Sequence, residues 1–246
     1  WTGRMHTEYR YALHQADKAA DVRAIVVTGA GKGFCVGADT KALEGHIEKG
    51  GYDAGTPDVL AEPGQGISAD FDASFAYHFG LSKPVVAAVN GPAAGVGLVL
   101  ACFADIRFAV PGVKFTTAHG KLNFPAEYGL SWLLPRLIGL PRANDLLLTS
   151  RIFTSDEAFT LGLVNRLVEP ELLLKETYAY VRQMIETVSP GSLRETRWQI
   201  YKDLHRDVAA SVKDSERLID AMSRQKDFTE GVNAFLEKRV PNWTGE

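Results

Sequence analysis

Lys83-Pro-Val-Val-Ala-Ala-Val89 is an apolar run rich in β-branched residues, and Asn90-Gly-Pro-Ala-Ala-Gly-Val-Gly97 follows it directly. A nearly continuous apolar run is typical of a strand that is covered on both faces, as in a parallel sheet. The Asn-Gly-Pro triplet indicates a turn, and the small residues from Ala94 to Cys102 predict a helix. This stretch therefore predicts a buried strand, a glycine-containing turn and a helix in close succession.

The rest of the N-terminal half has a similar alternation of strands and helices. Residues 22–28 form a second apolar run that ends in a Gly-rich turn at 29–33, and residues 105–110 and 113–116 predict two more strands. Helical spacing of apolar residues predicts helices at 3–20 and 68–79. Residues 45–66, rich in Gly, Pro, Asp and Glu, predict an exposed, mobile loop.

The C-terminal half is predicted to be mostly helical. Thr154-Ser-Asp-Glu157 has the pattern of a capping box that opens a helix. A short strand is expected at 164–168, and amphipathic helices are expected at 171–188, 192–224 (with a possible break) and 228–239. Strands interleaved with helices indicate a stacked α/β core.

Composition excludes several classes of protein. The chain has 246 residues, of which 46% are hydrophobic and 23% charged, and a net charge of −3. These values are close to the globular average and argue against disorder and against nucleic acid as a partner. No apolar run has the length of a membrane span. Two cysteines, Cys35 and Cys102, fit buried free thiols in a reducing cytoplasm, and no histidine pair has the spacing of zinc ligands.

The turn Thr28-Gly-Ala-Gly-Lys-Gly33 admits a dinucleotide-binding interpretation, because short-chain dehydrogenases open with a similar turn after a strand. However, Cys35 stands where the last glycine of that motif is expected. That family also needs a Tyr-x-x-x-Lys pair. No tyrosine in this sequence is followed by a lysine four residues later, and the most similar pair is Tyr178 with Arg182. A Walker A loop is also absent from the sequence. These departures disfavour a nucleotide site.

Two loops taken together resemble the enoyl-CoA hydratase/isomerase (crotonase) superfamily. The first is Gly33-Phe-Cys-Val-Gly-Ala-Asp39 and the second is Asn90-Gly-Pro-Ala-Ala-Gly-Val-Gly97. Further similarities cover essentially the whole chain: Pro135-Arg-Leu-Ile-Gly139, Asp156-Glu-Ala158, Gly162-Leu-Val-Asn165 and Phe235-Leu-Glu-Lys-Arg239. The resemblance implies an α/β fold of the crotonase type, a stacked β-β-α superhelix with a helical C-terminal region that acts in trimerisation or as a lid.

The resemblance also implies an organisation of the chain. We expect a crotonase-like core at 1–188, without the initial strands that family members usually have, and a C-terminal helical region at 189–246. Family members are typically trimers or pairs of trimers and, in bacteria, cytoplasmic, so we expect the same here. The implied partner is an acyl-CoA substrate, with no separate cofactor and no metal.

By resemblance, the backbone N–H groups of Ala38 and Val96 form an oxyanion hole for a thioester. Two such donors stabilise the negative charge that the carbonyl oxygen acquires when an enolate forms. Most relatives have Gly at the position of Val96, but valine supplies the same N–H. The alternative is that these are two ordinary tight turns.

The acid–base residues differ from those of the best-known hydratases. Matched residue by residue, the two hydratase glutamates correspond to Val99 and His119, so a two-carboxylate hydration mechanism is not expected. Glu127, in Asn123-Phe-Pro-Ala-Glu127, resembles the acid of Δ3-Δ2-enoyl-CoA isomerases. A single carboxylate suffices for a 1,3-proton shift. Glu127 alternatively caps a helix beginning near Tyr128, and His119 is either a second acid–base group or a buried pocket residue.

The family's CoA contacts correspond to five residues of this sequence, namely Ala38, Asp39, Lys41, Phe235 and Lys238, the last two often reaching the CoA of a neighbouring subunit. Taken alone, Phe235 also fits a core aromatic residue and Lys238 also fits a solvated lysine. The leading functional hypothesis is therefore an isomerase acting through a thioester enolate. Enoyl-CoA hydration, thioester binding with little catalysis, and hydrolysis of a carbon–carbon bond with His119 as base remain open.

Overall fold

The computed structural model describes residues 1–50 and 60–245, and its N-terminal half holds most strands of two small sheets together with the helices around them. The elements of this half are, in chain order, α1 (Gly3–Lys18), β1 (Ile25–Thr28), α2 (Thr40–Lys49), a 3-10 turn (Ala69–Phe71), α3 (Tyr77–Gly80), β2 (Val85–Val89), β3 (Ala93–Ala94), α4 (Val96–Phe103), β4 (Ile106–Ala109) and β5 (Lys114–Thr116).

The C-terminal half is mainly helical, as its sequence predicts. Two 3-10 turns (His119–Leu122 and Glu127–Gly129) lead into the remaining elements, which are α5 (Leu130–Ile138), α6 (Leu140–Thr149), β6 (Phe153–Thr154), α7 (Ser155–Thr160), β7 (Arg166–Leu167), α8 (Leu173–Thr187), α9 (Pro190–Asp203), α10 (Val208–Met222) and α11 (Lys226–Glu237). Thr154 caps α7 by accepting a hydrogen bond from the Glu157 N–H.

The larger sheet has the order β1-β2-β4-β7, and all of its strands are parallel. Ile25 of β1 lies opposite Val85 of β2, and Val86 of β2 lies opposite Ile106 of β4. All five residues of β2 are buried, which explains the continuous apolar run in its sequence. The smaller sheet has the order β3-β5-β6, with a parallel and an antiparallel pair.

Helix α4 runs through the hydrophobic core, since all eight of its residues are buried. A helix that is apolar on every side is stable only when other elements surround it. The buried guanidinium of Arg107 satisfies its C-terminal end, donating to the carbonyls of Ala101, Cys102 and Ala104. The N-terminal end of α4 lies beside the two Gly-rich loops, which are described below.

Two predicted elements differ in the structure. The helix predicted at 68–79 is instead the 3-10 turn Ala69–Phe71 and the short helix α3, because Phe75 has φ +63 and interrupts the helix. The loop predicted from residue 45 begins later, since α2 continues to Lys49. Residues 51–59 of that predicted loop lie outside the described residues. The division between residues 188 and 189 stays a prediction.

Across residues 1–50 and 60–245, no helix is long and apolar enough to cross a membrane. Within the same ranges, no cluster of His, Cys, Asp and Glu side chains has the geometry to hold a metal ion.

Candidate active site

Hydrogen bonds join the two Gly-rich loops. The Pro92 carbonyl accepts from the N–H groups of Phe34 and Cys35, and the Cys35 carbonyl accepts from the Ala94 N–H at 2.9 Å. The Asn90 side chain reaches across as well, since its Oδ1 accepts from the Gly29 N–H at 2.9 Å. These contacts hold residues 33–39 beside the N-terminal end of α4.

The joined loops bring Ala38 and Val96 to one cavity of about 390 Å³. Neither backbone N–H has an intramolecular acceptor within the part of the chain that the structure describes. The Val96 N–H is at the first turn of α4, where helical N–H groups lack internal partners and the helix dipole favours negative charge. Val96 is only 5% exposed and packs in the core, so its side chain takes little of the cavity surface.

Glu127 lies close to the loop that leads into α4. A Cβ built on Gly95, the residue before α4, would lie 3.4 Å from Glu127 Oε2. Gly95 has φ +51, a conformation that side chains with a Cβ rarely adopt. The glycine therefore allows the carboxylate to approach the backbone next to the Val96 N–H.

The environment of Glu127 changes its acidity. The side chain is half-buried among Gly95, Phe124 and Tyr128 on the cavity wall. Burial removes water from the charged form and raises the pKa of the carboxyl group above its ordinary value of 4.5. A carboxyl group with a raised pKa is a stronger base when ionised, which suits proton transfer from carbon.

His119 also lines the cavity and is buried. Its Nδ1 is shielded from solvent and has no hydrogen-bond partner among the described residues. Ser150 holds the turn that carries it, since Ser150 Oγ accepts from the Gly120 N–H at 3.1 Å and lies 3.2 Å from Thr117 Oγ1. An unpartnered buried nitrogen is costly unless a ligand or water satisfies it.

Other predicted residues are placed differently. Val99 is fully buried in the core and does not line the cavity. Asp39 accepts a hydrogen bond from the Lys41 N–H at 3.0 Å, and neither residue lines the cavity in this chain. Phe235 is 83% exposed on α11, beside a separate groove between α9, α10 and α11, and Lys238 follows the end of that helix. The structure thus brings together Ala38, Val96, His119 and Glu127, but not these others.

Several lining residues were not singled out from the sequence. Ser74, Tyr128 and His6 lie on the cavity wall, and the Tyr128 ring contacts Phe75 with 4.7 Å between centroids. Tyr128 has φ +46 and ψ +39, and its neighbour in space, Phe75, also has a positive φ. No local motif predicts such backbone conformations for aromatic residues, so the sequence carried no clear signal for them.

Comparisons with known proteins agree with this architecture. The family model for enoyl-CoA hydratase/isomerase matches residues 2–246. The chain is 31% identical to 1,2-epoxyphenylacetyl-CoA isomerase from Escherichia coli K12, covering 98% of this chain and 88% of that protein. It is 36% identical to the protein named probable enoyl-CoA hydratase EchA12 from Mycobacterium tuberculosis H37Rv, covering 96% of this chain and 81% of the relative.

Solved structures give the same result for the fold. The enoyl-CoA hydratase from Bacillus anthracis superposes with a TM-score of 0.86 at 28% identity, covering 100% of this chain and 90% of that one. A protein described as a probable enoyl-CoA hydratase/isomerase from Mycobacterium abscessus gives 0.84 at 29% identity, with the same coverage. The predicted crotonase-like fold class is confirmed. The chain belongs to the enoyl-CoA hydratase/isomerase family.

Proposed function

We propose that this enzyme moves the double bond of an enoyl-CoA thioester from C3–C4 to C2–C3, with Glu127 as the only carboxylate that transfers protons. The observation that carries the proposal is the position of Glu127 Oε2 beside Gly95, next to the unpartnered N–H of Val96 and on the same cavity as Ala38. A base and a pair of N–H donors around one space are what enolate chemistry requires.

The proposed reaction has two proton transfers. The Glu127 carboxylate takes a proton from C2, and the electron pair spreads onto the thioester oxygen, which the N–H groups of Ala38 and Val96 stabilise. The same carboxyl group then returns the proton to C4, and the new double bond lies between C2 and C3. No water is consumed, so one carboxylate is enough.

The thioester end of the substrate would lie at the two N–H donors. In this proposal CoA is part of the substrate, and Asp39, Lys41, Phe235 and Lys238 stay candidate contacts for it. Phe235 and Lys238 lie outside the cavity of their own chain, which fits contacts to a neighbouring subunit in a trimer or a pair of trimers.

A second candidate is the hydration of 2-enoyl-CoA. It is favoured by the unpartnered Nδ1 of His119 and by relatives that are named hydratases. In this mechanism His119 and Glu127 would hold a water molecule that adds its hydroxyl to C3, while C2 receives a proton. The fully buried Val99, at the position of one hydratase glutamate by resemblance, speaks against it.

The test is to compare Glu127→Gln with the unaltered enzyme on 3-enoyl-CoA and 2-enoyl-CoA, following the products by chromatography. We expect isomerisation to fall by about 10²- to 10⁴-fold in Glu127→Gln, because general-base catalysis contributes that much. Glu171→Gln, at an exposed position, is the matched control and should retain full activity.

Three outcomes would contradict the proposal. Isomerisation that survives in Glu127→Gln would remove the carboxylate from the mechanism. Hydration of 2-enoyl-CoA that is faster than isomerisation and is lost in His119→Ala would favour the second candidate. Binding of acyl-CoA with no turnover of either thioester would favour a binding protein.

A further inference from the structure

A second cavity of about 430 Å³ lies beside the candidate active site. We call it the aromatic chamber and define it by Phe79, Phe103, Tyr128, Trp132 and His205, which line it. Its rings contact one another at several angles: Phe79 and Phe103 have centroids 5.0 Å apart at 39°, Phe79 and Trp132 are 6.3 Å apart at 47°, and Trp132 and His205 are 5.1 Å apart at 14°.

The chamber adjoins the cavity that holds Glu127. Ser74 and Tyr128 line both spaces, and Tyr128 directly follows Glu127 in the chain. An acyl group whose C2 lies at the Glu127 carboxylate would therefore extend past Tyr128 into the chamber.

The chamber suits the acyl end of a thioester rather than the CoA end. Among the residues that the structure describes, no lysine or arginine lines the chamber to bind phosphates. Among the described lining residues, Asp70 and His205 supply the carboxyl and imidazole groups; their side chains lie 3.9 Å apart and form an ion pair when His205 is protonated. The volume lies within the range of about 300–1,000 Å³ that is usual for small-molecule sites.

We propose that the aromatic chamber binds an aromatic ring at the distal end of the acyl group, so that the substrate class is aryl-substituted acyl-CoA thioesters. Aromatic pairs prefer offset and edge-to-face contacts with centroids about 4.5–7 Å apart, and walls of differently tilted rings offer both. A saturated ring of similar size would also be buried in the chamber, but it would not make these contacts between aromatic rings. The inference rests on the proposed function for the orientation of the thioester.

The experiment measures equilibrium binding of two thioesters that lack an enoyl double bond, phenylacetyl-CoA and cyclohexylacetyl-CoA, by calorimetry. The Glu127→Gln protein is used so that turnover cannot interfere. We expect phenylacetyl-CoA to bind at least threefold more tightly. Trp132→Leu should bring this ratio close to one, whereas Trp243→Leu, which removes an indole outside the chamber, should leave it unchanged.

Two further variants guard against misfolding of Trp132→Leu. Trp132→Phe keeps an aromatic ring and should retain most of the preference. His205→Leu, at a side chain that is 31% exposed, should reduce it. Equal affinity for the two thioesters, or a preference that survives in Trp132→Leu, would overturn the inference.

The inference and the proposed function can fail separately. Loss of the aromatic preference alone, with isomerisation still dependent on Glu127, would contradict only the proposal that the aromatic chamber binds an aromatic ring. An intact preference with isomerisation independent of Glu127 would contradict only the mechanism. A protein that binds neither thioester and also fails to isomerise 3-enoyl-CoA would contradict both.

Discussion

Glu127 illustrates how a single residue combines a recognisable sequence position with an environment that only folding creates. Its place in Asn123-Phe-Pro-Ala-Glu127 was sufficient to propose a carboxylate base. Its closeness to Gly95 and its half-buried position were not readable from that motif. The first depends on a residue more than thirty positions away in the chain, and the second depends on how the folded chain packs around the carboxylate.

The raised pKa of Glu127 predicts the acid side of the pH–rate profile. The base must be ionised in the free enzyme, so kcat/KM should fall as the pH drops through the pKa of this carboxyl group. Because burial raises that pKa, the midpoint of the fall should lie above pH 4.5, the ordinary pKa of glutamate. The measurement is kcat/KM for isomerisation between pH 4 and 8.

The control for this profile is His119→Asn. The fall in kcat/KM should persist in that variant, although its overall rate is expected to be lower. If the acid limb disappears when His119 is replaced, the titrating group is the histidine and the assignment to Glu127 is wrong.

At the scale of elements, the contact between α4 and the loop at 33–39 depends on a missing side chain. A Cβ on Gly97, in the first turn of α4, would lie 1.9 Å from the Cys35 carbonyl oxygen. That oxygen already accepts the Ala94 N–H, so it cannot move without breaking the junction of the two loops. The sequence motif contains this glycine, and the structure supplies the reason for it.

We therefore expect Gly97→Ala to cost about 3 kcal/mol in the free energy of unfolding, because the clash is with backbone atoms. It should also lower turnover, since the Val96 N–H would shift. Gly45→Ala is the matched control, because Gly45 is also helical and has open space around its Cβ position. That substitution should raise helix stability by up to about 1 kcal/mol.

Urea unfolding of both variants, followed by circular dichroism, is the measurement. Equal stability of Gly97→Ala and the unaltered protein would show that the close contact is not rigid. A loss of stability in Gly45→Ala would mean that α2 packs more tightly around that position than the open space indicates.

Element boundaries were predicted well where local pattern and packing agree. The buried strands β2 and β4 and the core helix α4 follow from their apolar runs, and Thr154 caps α7 as its motif indicates. The helix predicted at 68–79 fails because Phe75 adopts a positive φ while it packs against Tyr128 and Phe103. Tertiary contacts there override the local helical spacing.

At the scale of the whole molecule, an aromatic core joins α1 to the rest of the fold. His78 is fully buried in it, lies 2.8 Å from the Tyr9 hydroxyl through Nε2, and lies 2.6 Å from the Phe75 carbonyl through Nδ1. These two contacts satisfy a neutral imidazole, with Nδ1 as donor and Nε2 as acceptor. Burial lowers the pKa of His78 from 6.5 to about 4.

This shift predicts a loss of stability in mild acid. The unfolded chain binds a proton at His78 near pH 6.5 and the folded chain does not until about pH 4, so stability falls as the pH drops between these values. His78 alone should contribute a loss of about 2 kcal/mol between pH 7.5 and 5. Burial also lowers the pKa of His6, which acts in the same direction.

The measurement is urea unfolding at pH 7.5 and 5, at one protein concentration. His78→Asn should lower stability at both pH values but reduce the difference between them. His14→Asn, at a partly exposed position on α1, should leave the difference unchanged. A pH difference that stays the same in His78→Asn would assign it to other groups.

The sequence by itself determined the strand–turn–helix units, the α/β class and the two Gly-rich loops, because these depend on residues that are adjacent in the chain. Only the tertiary structure decided that Ala38, Val96, His119 and Glu127 share one cavity, and that Tyr128 separates it from the aromatic chamber. The physical reason is that hydrogen-bond satisfaction, solvent exclusion and the pKa of a carboxyl group depend on every atom packed nearby. Those atoms come from segments far apart in sequence.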